Sequence, residues 1–256
     1  MIIENPDYKN AQVSVDVKNV SKRFTQQEVL KDVSFTVNPG EIFVIMGPSG
    51  SGKSVLLRSI IGLTAPNEGT VSINSSNAIR SKDVVTSFVF QAGALFNSLT
   101  VYDNLAFYSR EHRLFSKKKL DAKVMNTLKM LSLQDAADKF PSQLSGGMRK
   151  RVAIARSLMM DPQLLLYDEP TSELDPTMAA NICELIGVLS KEMGVTSVVV
   201  SHDRDLASSI SHRVAILLDG RIKAIDTMAN LYKSDDILIK EFLNPKVDLE
   251  NPRFKN

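Results

Sequence analysis

The run Gly47-Pro48-Ser49-Gly50-Ser51-Gly52-Lys53-Ser54 constrains this chain more than any other feature. It fits the pattern G-x-x-x-x-G-K-[ST], and its flanks are what such a loop requires. Before it stands EIFVIM (41–46), an apolar run short enough for a buried strand; after it SVLLRSIIGL (54–63) has apolar residues at helical spacing. Glycines at 47, 50 and 52 let the backbone wrap closely, so that successive N–H groups converge on an anion. Lys53 is then placed for the β and γ phosphates of a nucleotide, and Ser54 for Mg²⁺. A chance match has a frequency on the order of 1% for a chain of this length, and the flanks lower it further.

Around that loop the chain alternates. VSVDVKNV (13–20), VSFTV (33–37), TVSIN (70–74) and VTSFVF (85–90) read as strands, with a turn at Asn38-Pro39-Gly40. From about Ala92 to Met160 the character becomes helical, clearest in SKKKLDAKVMNTLKMLSL. Strands return at QLLLYD (163–168), VTSVVVS (195–201) and RVAILLD (213–219). This order predicts an α/β fold: a parallel sheet with helices on both faces and an inserted helical lobe. The expected division is 1–91 with 161–225 as core and β subdomain, 92–160 as the helical insertion, and 226–256 as a C-terminal helix and tail. MANLYKSDDILIKEFL reads as a packed final helix, because its lysines and acids leave no lipid-facing stripe. LENPRFKN reads as a loose tail.

Hydrophobic residues make up 43% of the 256, enough for a sizeable core, and the net charge of +2 gives no global attraction to nucleic acid. The opening MIIENPDYKN lacks the order of a signal peptide, and no apolar run has bilayer-spanning length, so a membrane role is expected to come through a partner. The single Cys183 falls in a helical pattern in which Met178, Ile182, Leu185, Ile186 and Leu189 share a face; it reads as structural, in a reducing compartment.

Two further features suit phosphate chemistry. LLLYDEP (164–170) ends a buried strand in Asp168, a carboxylate for Mg²⁺ at the sheet edge where ligands of such folds bind, and Glu169 beside it is the candidate to orient or deprotonate a water. LSGGMRKR (144–151) puts a serine cap and two glycines before a helix, a second place prepared for an anion. Alone, the first is a common turn start and the second a softened helix cap.

Taken in order, GPSGSGKS, LSGGM with RKRVAIAR, LLLYDEP, SELD and the histidine of VVVSHD resemble the ATP-binding cassette (ABC) ATPases over nearly the whole chain. The resemblance implies the cassette fold of P-loop NTPases: a mostly parallel core sheet, an N-terminal antiparallel β subdomain and an inserted α-helical subdomain. It implies two copies meeting head to tail, with Ser145, Gly146 and Gly147 closing on the ATP held by the other subunit. By the same resemblance Gln91 matches the glutamine that contacts metal or water, His202 the histidine that bonds the γ-phosphate, and Asp175 the loop passing between subunits. Phe24 falls at the adenine-stacking position, where a core or edge-strand phenylalanine is the competing reading. Two departures stand out: Met148 where glutamine is commonest, and Glu173 where a small residue is usual.

The segment Phe88–Phe107 is unusually apolar for an entry to a small lobe. Ala92, Ala94, Leu95, Phe96 and Leu99 suggest an exposed docking surface, which in ABC transporters receives a helix of the membrane permease. QAGALFNSLTVYDNLAF, LSGGMRKRVAIARSL, LLLYDEPTSELDP and SDDILIKEFLN resemble, more narrowly, the cassettes that serve mammalian-cell-entry (MCE) domain lipid transporters of the lipid-asymmetry (Mla) type. That likeness implies a peripheral place on the cytoplasmic face of a bacterial inner membrane, a phospholipid cargo and an MCE-domain partner. An amino-acid or other small-solute importer is the alternative. A soluble ABC ATPase acting on DNA or ribosomes is a third, which the lack of a long coiled-coil insertion or second cassette disfavours.

Overall fold

In the computed structural model, residues 13–75 and 84–245 are described. The opening decapeptide and the tail LENPRFKN lie outside the described residues.

Strands β1 (Val13–Phe24) and β2 (Gln27–Val37) form an antiparallel hairpin. After a turn at 38–41 come β3 (Ile42–Met46), the glycine-rich loop, helix α1 (Lys53–Ile60) and β4 (Glu68–Ser75), which returns to the free edge of β1. Then follow β5 (Thr86–Val89), helices α2 (Val101–Glu111), α3 (Lys117–Met130) and α4 (Gly146–Leu158), β6 (Leu164–Asp168), α5 (Pro176–Met193), β7 (Thr196–Ser201), α6 (Arg204–Ile210), β8 (Arg213–Leu218) and β9 (Arg221–Asp226). Helices α7 (Met228–Leu231) and α8 (Ile237–Leu243) end the described chain. The larger sheet runs β5-β6-β7-β3-β8-β9, parallel except for β9.

Period-two alternation in the central strands builds two cores. Phe43, Ile45, Leu164, Leu166, Val198, Val200, Ala215 and Leu217 face α1 and the smaller sheet, packing with Leu56, Leu57, Ile60, Val15 and Phe35. The Phe35 and Phe43 rings stack at 5.1 Å. Ile42, Val44, Met46, Leu165, Tyr167, Val199, Val214 and Ile216 face the other way, into one continuous core with Val101, Leu105, Val124, Ile154 and Ile186. Each such buried aliphatic side chain contributes about 1.5–3 kcal/mol of transfer free energy. The helices of 101–158 are therefore anchored to the same sheet that carries the glycine-rich loop. At the far end of β3, buried Glu41 accepts from Arg213 Nε at 2.7 Å and Nη2 at 2.8 Å, a two-pronged bond that locks the strand starts together.

Two expectations need correction. MANLYKSDDILIKEFL is not one helix but two: α7 ends at Leu231, and Asp236 caps a new start for α8, accepting from the Leu238 and Ile239 N–H groups at 2.8 and 3.3 Å. Met228, Leu231, Ile239 and Leu243 still reach the core, so the packing expectation holds. Strand β9 was absent from the expected strands. It follows Asp219-Gly220, both at positive φ (50° and 77°), the two-residue hairpin that a D-G pair favours. Among the described residues no helix is long and apolar enough to cross a membrane.

Candidate active site

The glycine-rich loop leaves the C-terminal end of β3. A Cβ on Gly47 would lie 2.3 Å from the Leu217 carbonyl oxygen and 2.6 Å from Ser51 Oγ, and Gly52, at φ 101°, starts α1. Only glycine fits both places. Lys53 is 7% exposed; its Nζ donates to the carbonyls of Gly47 (2.9 Å) and Pro48 (3.1 Å) and stands 3.4 Å from Glu169 Oε1. Ser51 Oγ is buried without a hydrogen-bond partner among the described residues. An orphan hydroxyl in a glycine-rich loop whose carbonyls hold the Lys53 ammonium is the feature a phosphate oxygen would satisfy, so the loop fits a nucleotide. Pro48, Ser49, Gly50 and Ser51 line a cavity of about 280 Å³ with Gln27, Val29, Lys31 and Gly220. Phe24 lies at the tip of the adjoining hairpin, opposite Gln27 in the ladder and 46% exposed, with the Lys22 ammonium 5.1 Å from its ring centre.

The ends of β6 and β7 complete this cluster. Ser54 Oγ donates to Asp168 Oδ1 at 2.8 Å. A hydroxyl and a carboxylate side by side are hard oxygen donors of the kind Mg²⁺ takes. Glu169, 8% exposed, sits at φ 48°, a left-handed conformation that costs on the order of 1 kcal/mol or more for a non-glycine residue. Its surroundings hold it there. Its N–H donates to the Val200 carbonyl at 2.9 Å, and its Oε2 accepts from Ser201 Oγ (3.3 Å) and the His202 N–H (3.4 Å). His202 Nδ1 lies 3.0 Å from the same oxygen while the ring remains mostly exposed, open toward whatever enters the cleft. The structure thus brings together Lys53, Ser54, Asp168, Glu169 and His202.

Gln91 is exposed and joins this centre through its backbone. Lys150 Nζ, from α4, donates to the carbonyls of Gln91 (2.6 Å) and Glu169 (3.3 Å) and to Ser172 Oγ (3.0 Å). Burial lowers the affinity of this amine for its proton, and the carboxylates of Glu173, Glu169 and Asp168 work against that. The sequence reading missed Lys150. In RKR each cation finds a carbonyl, Arg149 that of Leu144 and Arg151 that of Leu131, and only the four-residue step to buried Ile154 marks Lys150 as inward-facing.

Ser145, Gly146 and Gly147 stand apart. Ser145 caps α4, accepting from the Met148 N–H at 3.3 Å, and with Gly147 and Met148 it opens on a separate cavity of about 450 Å³ shared with Met178 and Leu185. A Cβ on Gly147 would come 3.0 Å from Met178 Sδ, so α5 presses on this helix start within the same chain. Asp175 caps α5 by accepting from the Met178 N–H at 2.9 Å, and Glu173 before it has φ 64°.

The chain is similar to known proteins. The family described as ABC transporter matches residues 30–172, more than half of the chain. The chain is 36% identical over 239 residues to the probable ribonucleotide transport ATP-binding protein mkl of Mycobacterium tuberculosis, covering 91% of this chain and 67% of that protein. It is 38% identical over 246 residues to the sulfate/thiosulfate import ATP-binding protein CysA of Synechococcus elongatus, covering 95% and 71%. A solved dimeric ATP-binding cassette in a post-hydrolysis state, bound to ADP and Pi, superposes with a TM-score of 0.74 at 34% identity, covering 84% of this chain and 98% of that one. The chain belongs to the ABC transporter ATP-binding family, whose members bind and hydrolyse ATP.

Proposed function

We propose that this chain is the motor subunit of a membrane transporter, working as a head-to-tail pair with each ATP held between two copies. The observation that carries this reading is the meeting of Lys53, Ser54, Asp168, Glu169 and His202 at the strand ends, with Ser145 and Gly147 facing a different cavity. One chain then supplies the phosphate cradle and its partner the helix start that closes it. Residues 92–160 act as the inserted lobe that carries the second element.

Lys53 and the loop N–H groups bind the β and γ phosphates, and Phe24 stacks on the base. Ser54, Asp168 and Gln91 would hold Mg²⁺, which supplies charge neutralisation on the phosphate oxygens. Glu169 takes up or orients the proton of the attacking water, and His202 bonds the γ-phosphate from the side opposite its contact with Glu169.

The permease is proposed to dock on the surface from Gln91 to Phe107. Ala92, Ala94 and Phe96 are exposed there, and Phe96 packs on Phe107 at 4.8 Å beside a cavity of about 410 Å³. The cargo reading is phospholipid, moved together with an MCE-domain partner, with this chain on the cytoplasmic face of a bacterial inner membrane; it rests on the likeness of 91–107, 144–158, 164–176 and 234–244 to cassettes of that kind. Import of a small solute is the second reading, favoured by the likeness to the sulfate/thiosulfate protein. Purification of Glu169→Gln from native membranes with Mg-ATP, followed by mass spectrometry of retained proteins and lipids, separates them. A permease with an MCE-domain protein and phospholipid supports the first; a solute-importer permease supports the second.

A further inference from the structure

We propose that Lys150 is a positioning residue for hydrolysis, fixing the peptide of Glu169 and the backbone of Gln91 from the helix that begins at Ser145. The proposal rests on the role given above to Glu169.

Lys150 is 8% exposed, and its ammonium has three N–H donors facing three acceptors from two segments: Gln91 O after β5, and Glu169 O and Ser172 Oγ in the turn after β6. A tetrahedral donor fully matched in this way holds its partners in one geometry. The Glu169 peptide is where that matters, because the carbonyl that Lys150 grips belongs to the residue held at φ 48°. The same carbonyl also accepts from the Ser172 N–H at 3.2 Å, so Lys150 is the one bond to it from outside the local turn among those described. Farther along α4, Arg156 donates to the carbonyls of Ala94 (2.7 Å) and Gly93 (3.0 Å). Two cations on one helix thus grip 91–94, but only Lys150 also reaches the Glu169 peptide. A shift of α4 is carried through that ammonium to the carboxylate that handles water.

The test is steady-state ATP turnover of Lys150→Met and Lys150→Arg, each alone and combined with Glu169→Gln. The chain is purified from its native cell with the subunits it retains, and the melting temperature is followed in parallel. Lys150→Met is expected to lower kcat about tenfold, near 1.4 kcal/mol, with KM for ATP within about twofold. In the Glu169→Gln background it should cause no further loss, because its effect runs through Glu169. Lys150→Arg keeps the charge but presents a planar fork, and it should lower kcat at an unchanged melting temperature.

Wild-type kcat in Lys150→Met overturns the proposal, as does an equal fold-loss in the Glu169→Gln background. Should Lys150→Met not fold, full kcat in Lys150→Arg would make the residue merely structural. A Glu169→Gln protein that turns over at the wild-type rate would instead remove the role of Glu169 itself; slow Glu169→Gln with unaffected Lys150 variants sinks only this proposal.

Discussion

Ser54 Oγ meets Asp168 Oδ1 at 2.8 Å, joining the first turn of α1 to the last residue of β6 across 114 positions of sequence. The pair would share Mg²⁺ with the phosphates of ATP. Ser54→Ala removes the hydroxyl and keeps the loop. The Mg²⁺ concentration for half-maximal ATPase activity should rise about tenfold, in line with the loss of one well-placed oxygen ligand, while nucleotide binding in EDTA stays near wild type.

Gly47 tests the cradle itself. The methyl of Gly47→Ala would stand 2.3 Å from the Leu217 carbonyl oxygen, so the loop or β8 must move. Titration with a fluorescent ATP analogue should show affinity weakened by at least about tenfold, since the loop N–H groups no longer converge.

Asn104 organises the proposed docking surface from beneath. It is 1% exposed, its Oδ1 accepts from the Phe96 N–H at 2.8 Å, and its Nδ2 lies 2.9–3.1 Å from the carbonyls of Phe96, Leu99 and Thr100. Asn104→Ala strands these groups and should cost about 2–4 kcal/mol in denaturant unfolding. Faster amide exchange over 96–100 should accompany it.

Phe96→Ser acts on the outer side of that segment. The ring is 45% exposed, so the melting temperature should stay within about 2 °C, while retention of the permease during purification is lost.

Cys183 gives a pH signature. Its thiol is buried and, chiefly through burial, is pushed up to about 11, with Asp203 adding to the rise. In the unfolded chain it ionises near 8.5. Between those values the unfolded state holds fewer protons, so stability falls as pH rises through that window and this contribution is fully present below about 8.5. Cys183→Ser should flatten the decline in melting temperature above pH 8.5, and iodoacetamide should modify native Cys183 far more slowly than the denatured chain.

The parts legible in sequence are those whose chemistry is local. The loop at 47–54 announces itself because glycine is demanded at fixed offsets, and the strand ending in Asp168 because four buried apolar residues lead up to the acidic pair. Lys150 was illegible because three adjacent cations look alike until helix packing turns one inward. Asn104 was hidden for a related reason, since its four partners are backbone groups that sequence does not mark. Strand β9 did leave a signal in Asp219-Gly220, but its half-buried alternation is weak beside the fully buried strands. The start of α8 is marked by Asp236, whose capping role competes with a helical pattern running through it.

Whether a second copy completes the ATP site is read by light scattering of Glu169→Gln with and without Mg-ATP. The expected mass is that of one 28.3 kDa chain without nucleotide, twice that with it, and one chain again when Ser145→Arg is added. A protein that binds ATP yet keeps the mass of one chain, or that pairs equally well with Ser145→Arg, does not complete its site with a second copy.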